Sequence, residues 1–202
     1  MDERKIMYRV LNRDPVLKQV IRKTGTLDPG HRSDLYMALL QSIASQQLSA
    51  KAGDTIFGRF LDLFPGRKPV PELVVICSIE TLRGCGLSNS KAAYMKNVAQ
   101  FKLDGQLEYR KLKKMSDEDL LTHLMVIKGV GRWTAEMILM FALNRHDILP
   151  LDDVGIQNAM KRLYKIRKSG KELRKAMEKT AEPWRPYRTL ACRHLWREGD
   201  DK

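Results

Sequence analysis

The stretch LMVIKGVGRWTAEMILMFAL, residues 124–143, decides how the rest of the chain is read. Its apolar residues recur at helical spacing on both sides of Lys128-Gly129-Val130-Gly131, which predicts a helix, a tight turn and a second helix. Glycines at 129 and 131 permit backbone angles that a β-carbon forbids, and let the turn come close to another molecule. The N–H groups opening the second helix, its dipole, and Lys128 and Arg132 beside them suit a phosphate group. Such contacts carry no base sequence information. An ordinary glycine-capped helix connection is the alternative, and a lone Gly-x-Gly does not separate the two.

Outward from this turn the periodicity stays helical. Asp14 before Pro15, Ser33-Asp34 before LYMALLQSIASQQ and Ser49 before AKAGDTIFGRFLDLF are start signals, and PGRKPVP at 65–71 is a break. Helices are predicted from Pro71, from Ser78 to Gly84 and Gly86, over SKAAYMKNVAQF, and from Ser116, whose Asp119 makes a capping-box-like start. Three more follow Asp153: GIQNAMKRLY, KSGKELRKAMEKTAE and PWRPYRTLACRHLWRE, with Pro183 in a first turn. VVIC is the one β-branched run, too short for a sheet, so the fold class is all-α. LRGCGLSNSKAAYM at 82–95 echoes IKGVGRWTAEMILM at 127–140, a weak internal repeat.

Charge points to the partner. Lysine and arginine number 37 against 24 acids, for a net charge of +13, which attracts a polyanion, nucleic acid first. Charge alone leaves an acidic protein or a membrane surface open. The N-terminus has no apolar core of a signal peptide and no run approaches the ~20 residues of a membrane span, so an intracellular protein is expected. Cys77, Cys85 and Cys192 lack Cys-x-x-Cys spacing, and His31, His123, His146 and His194 are dispersed. No disulfide, zinc or iron–sulfur site is expected.

LPLDDVGI, residues 149–156, adds two adjacent acids ahead of a helix. Isolated, such a pair reads as helix capping. Asp147, Asp152 and Asp153 gathering a divalent ion is another reading. Joined to Ile-Lys-Gly-Val-Gly-Arg-Trp-Thr-Ala, the segment resembles the signature of the helix-hairpin-helix DNA glycosylases, of the DNA-3-methyladenine glycosylase type. The resemblance covers about residues 30–197 and is most specific over 124–160. Longer relatives of that family carry a further N-terminal β-rich domain, which is not expected here.

The resemblance implies one compact domain over 1–202, with helical lobes of about 30–120 and of 1–29 plus 121–202, and an active site in the cleft between them. It assigns DNA binding to Lys128, Gly129, Val130, Gly131, Arg132 and Thr134. It implies a structural Na+ or K+ on the carbonyls of Met125, Ile127 and Val130, and no required cofactor. Strand-cutting relatives carry a lysine where Trp133 stands. Tryptophan has no amine for a Schiff base, so lyase activity is not expected. Asp153 matches the family's second acid and is the expected catalytic carboxylate, stabilising positive charge on the sugar and orienting water. Asp152 is expected to cap the next helix or to act electrostatically.

A target base must leave the stack before the acid reaches its sugar. The resemblance implies Trp133, Trp184 and Tyr187 as pocket walls, suited to a cationic alkylated purine. For Trp184 and Tyr187 a core position is equally open. The segment IASQQLSAKAGD at 43–54 resembles the loop that fills the vacated place, with Gln47 or Leu48 as wedge, or else is a helix end capped by Ser49. The expected partner is double-stranded DNA with alkylated bases, bound by a monomer, and the reaction is release of 3-methyladenine and 7-methylguanine. A helix-hairpin-helix DNA binder without turnover is the competing reading, and an oxidised-base glycosylase with lyase activity is disfavoured by Trp133.

Overall fold

The computed structural model describes residues 2–28, 30 and 32–200, and His31 lies outside them. The elements are helices: α1 (Glu3–Leu11), α2 (Pro15–Thr24), α3 (Leu35–Ser45), α4 (Ala50–Asp62), α5 (Pro71–Ile76), α6 (Ile79–Gly84) and α7 (Asn89–Leu103). They continue with α8 (Tyr109–Leu112), α9 (Asp117–Met125), α10 (Arg132–Met137), α11 (Val154–Leu163), α12 (Gly170–Ala181) and α13 (Arg188–Asp200). Among the described residues there is no strand, and no helix is long and apolar enough to cross a membrane.

Local chemistry sets most of the starts. Asp14 Oδ1 accepts from the N–H groups of Val16 and Leu17, Asp34 from Met37, Ser78 from Thr81 and Ser116 from Asp119. Each such cap stabilises its helix by about 1 kcal/mol. The chain divides into one unit of Met1–Arg32 with Leu139–Lys202 and a second of Ser33–Ile138. In the first, α13 packs on α2 and α11, burying Leu17, Ile156, Met160 and Leu195. In the second, α3 packs on α4 and α7, and α5 on α7. Its core holds Leu39, Ile43, Met95 and Val98, with Phe57, Phe60 and Phe64 in a row at centroid spacings of 5.9 and 5.1 Å.

Three expectations are corrected. The hairpin belongs with α3–α8 rather than with the terminal segments, because α9 and α10 pack together and Gly129 is held by residues of α3's end and α7. The single helix expected over 183–198 is a 3-10 turn, Glu182–Trp184, followed by α13. Pro186 lacks the N–H that a continuous helix needs there. The echo between 82–95 and 127–140 is not a structural repeat. In the first copy Gly84 is helical and Gly86 takes the positive φ, 100°, whereas in the second it is the earlier glycine, Gly129, at 105°.

Candidate active site

The hairpin follows from a small set of backbone bonds. α9 ends at Met125, the Ile127 N–H closes on the Leu124 carbonyl at 3.1 Å, and the Val130 N–H closes on the Ile127 carbonyl at 2.9 Å. A β-carbon at Gly129 would lie 2.2 Å from Tyr94 Cγ, so the positive φ and the packed ring both require glycine there. Gly131 caps α10 with ordinary angles, φ −86° and ψ 173°, and no side chain occupies that cap. Ile127 and Val130 bury their side chains, leaving Lys128 exposed between them.

Not every expected phosphate contact is presented alike. Lys128 makes no ion pair among the described residues, whereas Arg132 is shared between Glu118 at 3.4 Å and Glu136 at 3.2 Å. Thr134 is buried on the inward side of the first turn, which leaves its backbone N–H as the group that can serve a phosphate. Trp133 is 44% exposed on the same turn.

In the same unit, α3 gives way at Gln46 to a short loop in which Gln47 adopts φ 59° and both Gln47 and Leu48 are exposed. Ser49 then caps α4 through the Ala52 N–H. Lys91 of α7 donates to the Ala44 and Gln46 carbonyls at 2.9 and 2.7 Å, and the Gln46 amide donates to the Gly129 carbonyl at 2.9 Å. Nothing local in the sequence marks these ties.

Asp153 lies in the other unit, 8% exposed, at the N-terminus of α11. Its Oδ1 accepts from the Ile156 N–H and from Trp196 Nε1, both at 2.8 Å. The first bond corrects an expectation: Asp153 caps α11, while Asp152 pairs with Arg174 at 2.6 Å. The cap falls to the acid whose backbone is extended immediately before the helix, ψ 120°. Gly155 makes room for the indole, since a β-carbon there would stand 3.0 Å from Trp196 Cδ1. The half-exposed Phe141 ring lies 5.9 Å from Trp196. Asp147 is engaged elsewhere, by Arg188 and Arg185, so these three acids do not converge.

Of the two readings open for Trp184, the structure gives the core one. The indole has no exposed surface and donates to Asp14 Oδ2 at 2.8 Å, the same oxygen that takes the Tyr164 hydroxyl. A ring so enclosed does not wall a base pocket, and that expectation is withdrawn. Tyr187 is half-buried, its ring 6.3 Å from His146, and lines a small hollow with Met7, Thr189 and Leu190. Trp196, Gly155 and Phe141 were not anticipated. No local sequence signal marks them, since the Asp153–Trp196 contact spans 43 positions.

An all-α chain with a glycine-sharpened hairpin between α9 and α10 and a pinned carboxylate opening α11 defines a helix-hairpin-helix protein of the DNA-repair class. The chain belongs to the HhH-GPD superfamily of base excision DNA repair proteins, whose family profile matches residues 40–186. It is similar to DNA-3-methyladenine glycosylase 1 of Schizosaccharomyces pombe, 34% identical over 185 residues, covering 89% of this chain and 80% of that protein. A solved Schizosaccharomyces pombe 3-methyladenine DNA glycosylase in complex with abasic DNA superposes with TM-score 0.82 at 32% identity, covering 95% of each chain. A DNA-3-methyladenine glycosidase from Bacillus halodurans gives the same TM-score at 34% identity, over 94% of this chain and 86% of that one.

Proposed function

We propose that the chain is a DNA glycosylase that hydrolyses the N-glycosidic bond of alkylated purines, 3-methyladenine first and 7-methylguanine second, without cutting the strand. The observation that carries this is Asp153: a carboxylate at a helix N-terminus, one oxygen fixed by a backbone N–H and an indole N–H. As the bond between C1′ and the base nitrogen breaks, its electron pair goes to the base and neutralises the charge of the alkylated purine. The sugar becomes oxocarbenium-like, and a fixed carboxylate lowers the energy of that cation. Water then adds to C1′ and gives up a proton, with Asp153 orienting it or accepting that proton. An alkylated base leaves without protonation, so one acid suffices.

The remaining residues serve recognition. Gly129, Val130, Gly131 and Lys128 meet the DNA backbone, with Arg132 joining once it leaves its carboxylates. Trp133 stacks on the extruded base, and Gln47 or Leu48 takes the vacated place in the duplex. Trp133 offers no amine, which supports hydrolysis rather than a Schiff base. The Met125, Ile127 and Val130 carbonyls are hard oxygen donors suited to Na+ or K+; the Ile127 oxygen already takes one N–H and keeps a second lone pair. Such an ion would bridge the hairpin to a phosphate.

The test incubates purified monomeric protein with methylated duplex DNA, identifies released bases by chromatography, and adds borohydride in a parallel reaction. Release of 3-methyladenine with no protein trapped on DNA is expected. Binding without release leaves only a DNA-binding role, and trapping contradicts the monofunctional reading.

A further inference from the structure

Lys91 occupies an unfavourable place for a cation. It lies in the first turn of α7, where the helix dipole disfavours positive charge, and burial pushes its ammonium below the usual lysine range. No carboxylate pairs with it among the described residues; its partners are the Ala44 and Gln46 carbonyls at 2.9 and 2.7 Å. Nothing in α7 accounts for this arrangement, but the end of α3 does. α3 carries no basic residue in its last turn, so its terminal carbonyls receive their cation from another helix.

The loop that starts there has little else to hold it. Gln47 sits at φ 59°, an uncommon conformation for a side chain of its kind, and residues 47–49 are exposed. Their one backbone tie to α3 is the Leu48 N–H on the Ser45 carbonyl at 3.2 Å. Below the loop α4 approaches closely: a β-carbon at Gly53 would stand 2.6 Å from Ser45 Oγ. The Gln46 amide, on the residue whose carbonyl Lys91 holds, reaches the Gly129 carbonyl of the hairpin at 2.9 Å.

We propose that Lys91 is a positioning residue: its ammonium, set between the Ala44 and Gln46 carbonyls, fixes the turn from which Gln47 and Leu48 enter the duplex. Gln46 links that turn to the hairpin through Gly129, so the wedge and the backbone grip are presented as one preorganised surface. This rests on the wedge reading of Gln47 and Leu48 and names what holds that wedge in place. The cost of ordering the loop is then met before DNA arrives, and insertion is faster than it is from a mobile loop.

The probe is a duplex with a tetrahydrofuran abasic analogue beside 2-aminopurine, whose fluorescence reports side-chain insertion without any catalytic step. In wild type, binding changes the fluorescence. Lys91→Met should slow that change about tenfold, the effect of losing roughly one charge-assisted hydrogen bond. Lys91→Arg, which keeps two donors, should restore most of the rate. Lys91→Met combined with Gln47→Ala should be no slower than Gln47→Ala alone, and amide exchange at Gln47 and Leu48 in the free protein should rise in Lys91→Met. Normal insertion in Lys91→Met, or a full additional loss in the double variant, overturns the proposal while leaving the wedge reading intact. An unchanged signal in both Gln47→Ala and Leu48→Ala removes the wedge reading itself, and the positioning role falls with it, even if exchange shows that Lys91 orders the loop. Should Lys91→Met fail to fold, Lys91→Gln carries the same comparison.

Discussion

Alanine at each hairpin glycine separates the two jobs that glycine does there. At Gly129 the backbone stands at φ 105°, which costs an L-residue about 1–3 kcal/mol. The new methyl would also meet Tyr94 at 2.2 Å from Cγ and 2.4 Å from Cδ2, so the ring or the turn must move. Overpacking of this kind adds about 1–3 kcal/mol, for a total of about 2–6 kcal/mol. At about 2–4 °C per kcal/mol for a chain of this size, Gly129→Ala should melt about 4–24 °C below wild type. Gly131 has ordinary angles and nothing within 4 Å of a β-carbon. Gly131→Ala should hold its stability to about 0.5 kcal/mol and lose DNA affinity through the methyl alone. Calorimetric melting and anisotropy titrations of duplex DNA at fixed salt measure both. Combining Gly129→Ala with Tyr94→Ala should show a coupling of about 1–3 kcal/mol, because the clash is then gone. Equal melting of the two single variants, or no coupling to Tyr94, refutes the steric reasoning.

Other perturbations separate site from scaffold. Gly155→Ala would place a methyl 3.0 Å from the Trp196 ring and 3.1 Å from Asp153 Oδ1, so single-turnover base release should fall about tenfold while the protein stays folded. Trp184→Phe should cost about 1–3 kcal/mol in urea unfolding through the lost bond to Asp14, with base preference unchanged; altered preference would return Trp184 to the pocket. His194 is buried against Thr24 and Tyr8, and burial, with Arg193 and Arg197 adding to it, pushes its pKa down to about 4 from 6.5. The folded protein thus favours neutral His194, whose contribution is complete above about pH 6.5 and is lost as the pH falls toward about 4. Between about pH 7.5 and about pH 5 this one group should remove about 2 kcal/mol of stability, and His194→Gln should flatten that part of the urea profile.

Local chemistry decided what was legible in the sequence. The caps at Asp14, Ser78 and Ser116 each act within three residues, and the hairpin is written in consecutive letters, so both were visible. The use of Asp14 Oδ2 by Trp184 and Tyr164, at separations of 170 and 150 positions, was not. Side chains that meet only after folding leave no period, and aromatic residues near a site suit its wall and its core equally. The same reason hid Trp196 beside Asp153 and Lys91 beneath the loop. Adjacent acids present a different limit: either Asp152 or Asp153 suits a cap, and only the backbone angle at Asp153 settles which one does it. Pro186 is a local signal of the opposite kind: it lacks the N–H that a helix continuing from Pro183 needs there, and α13 starts only at Arg188.

Asp153→Asn is the decisive variant for the proposed chemistry. Asparagine keeps an oxygen for the Ile156 N–H and for Trp196 Nε1, and removes the charge to which the proposed mechanism assigns stabilisation of the sugar cation. With alkylated duplex DNA under single-turnover conditions, base release should fall by about 100- to 10,000-fold while DNA affinity holds and stability stays within about 1 kcal/mol. Release at the wild-type rate from a folded, DNA-bound Asp153→Asn protein would contradict the account, because no catalytic charge would then reside at Asp153.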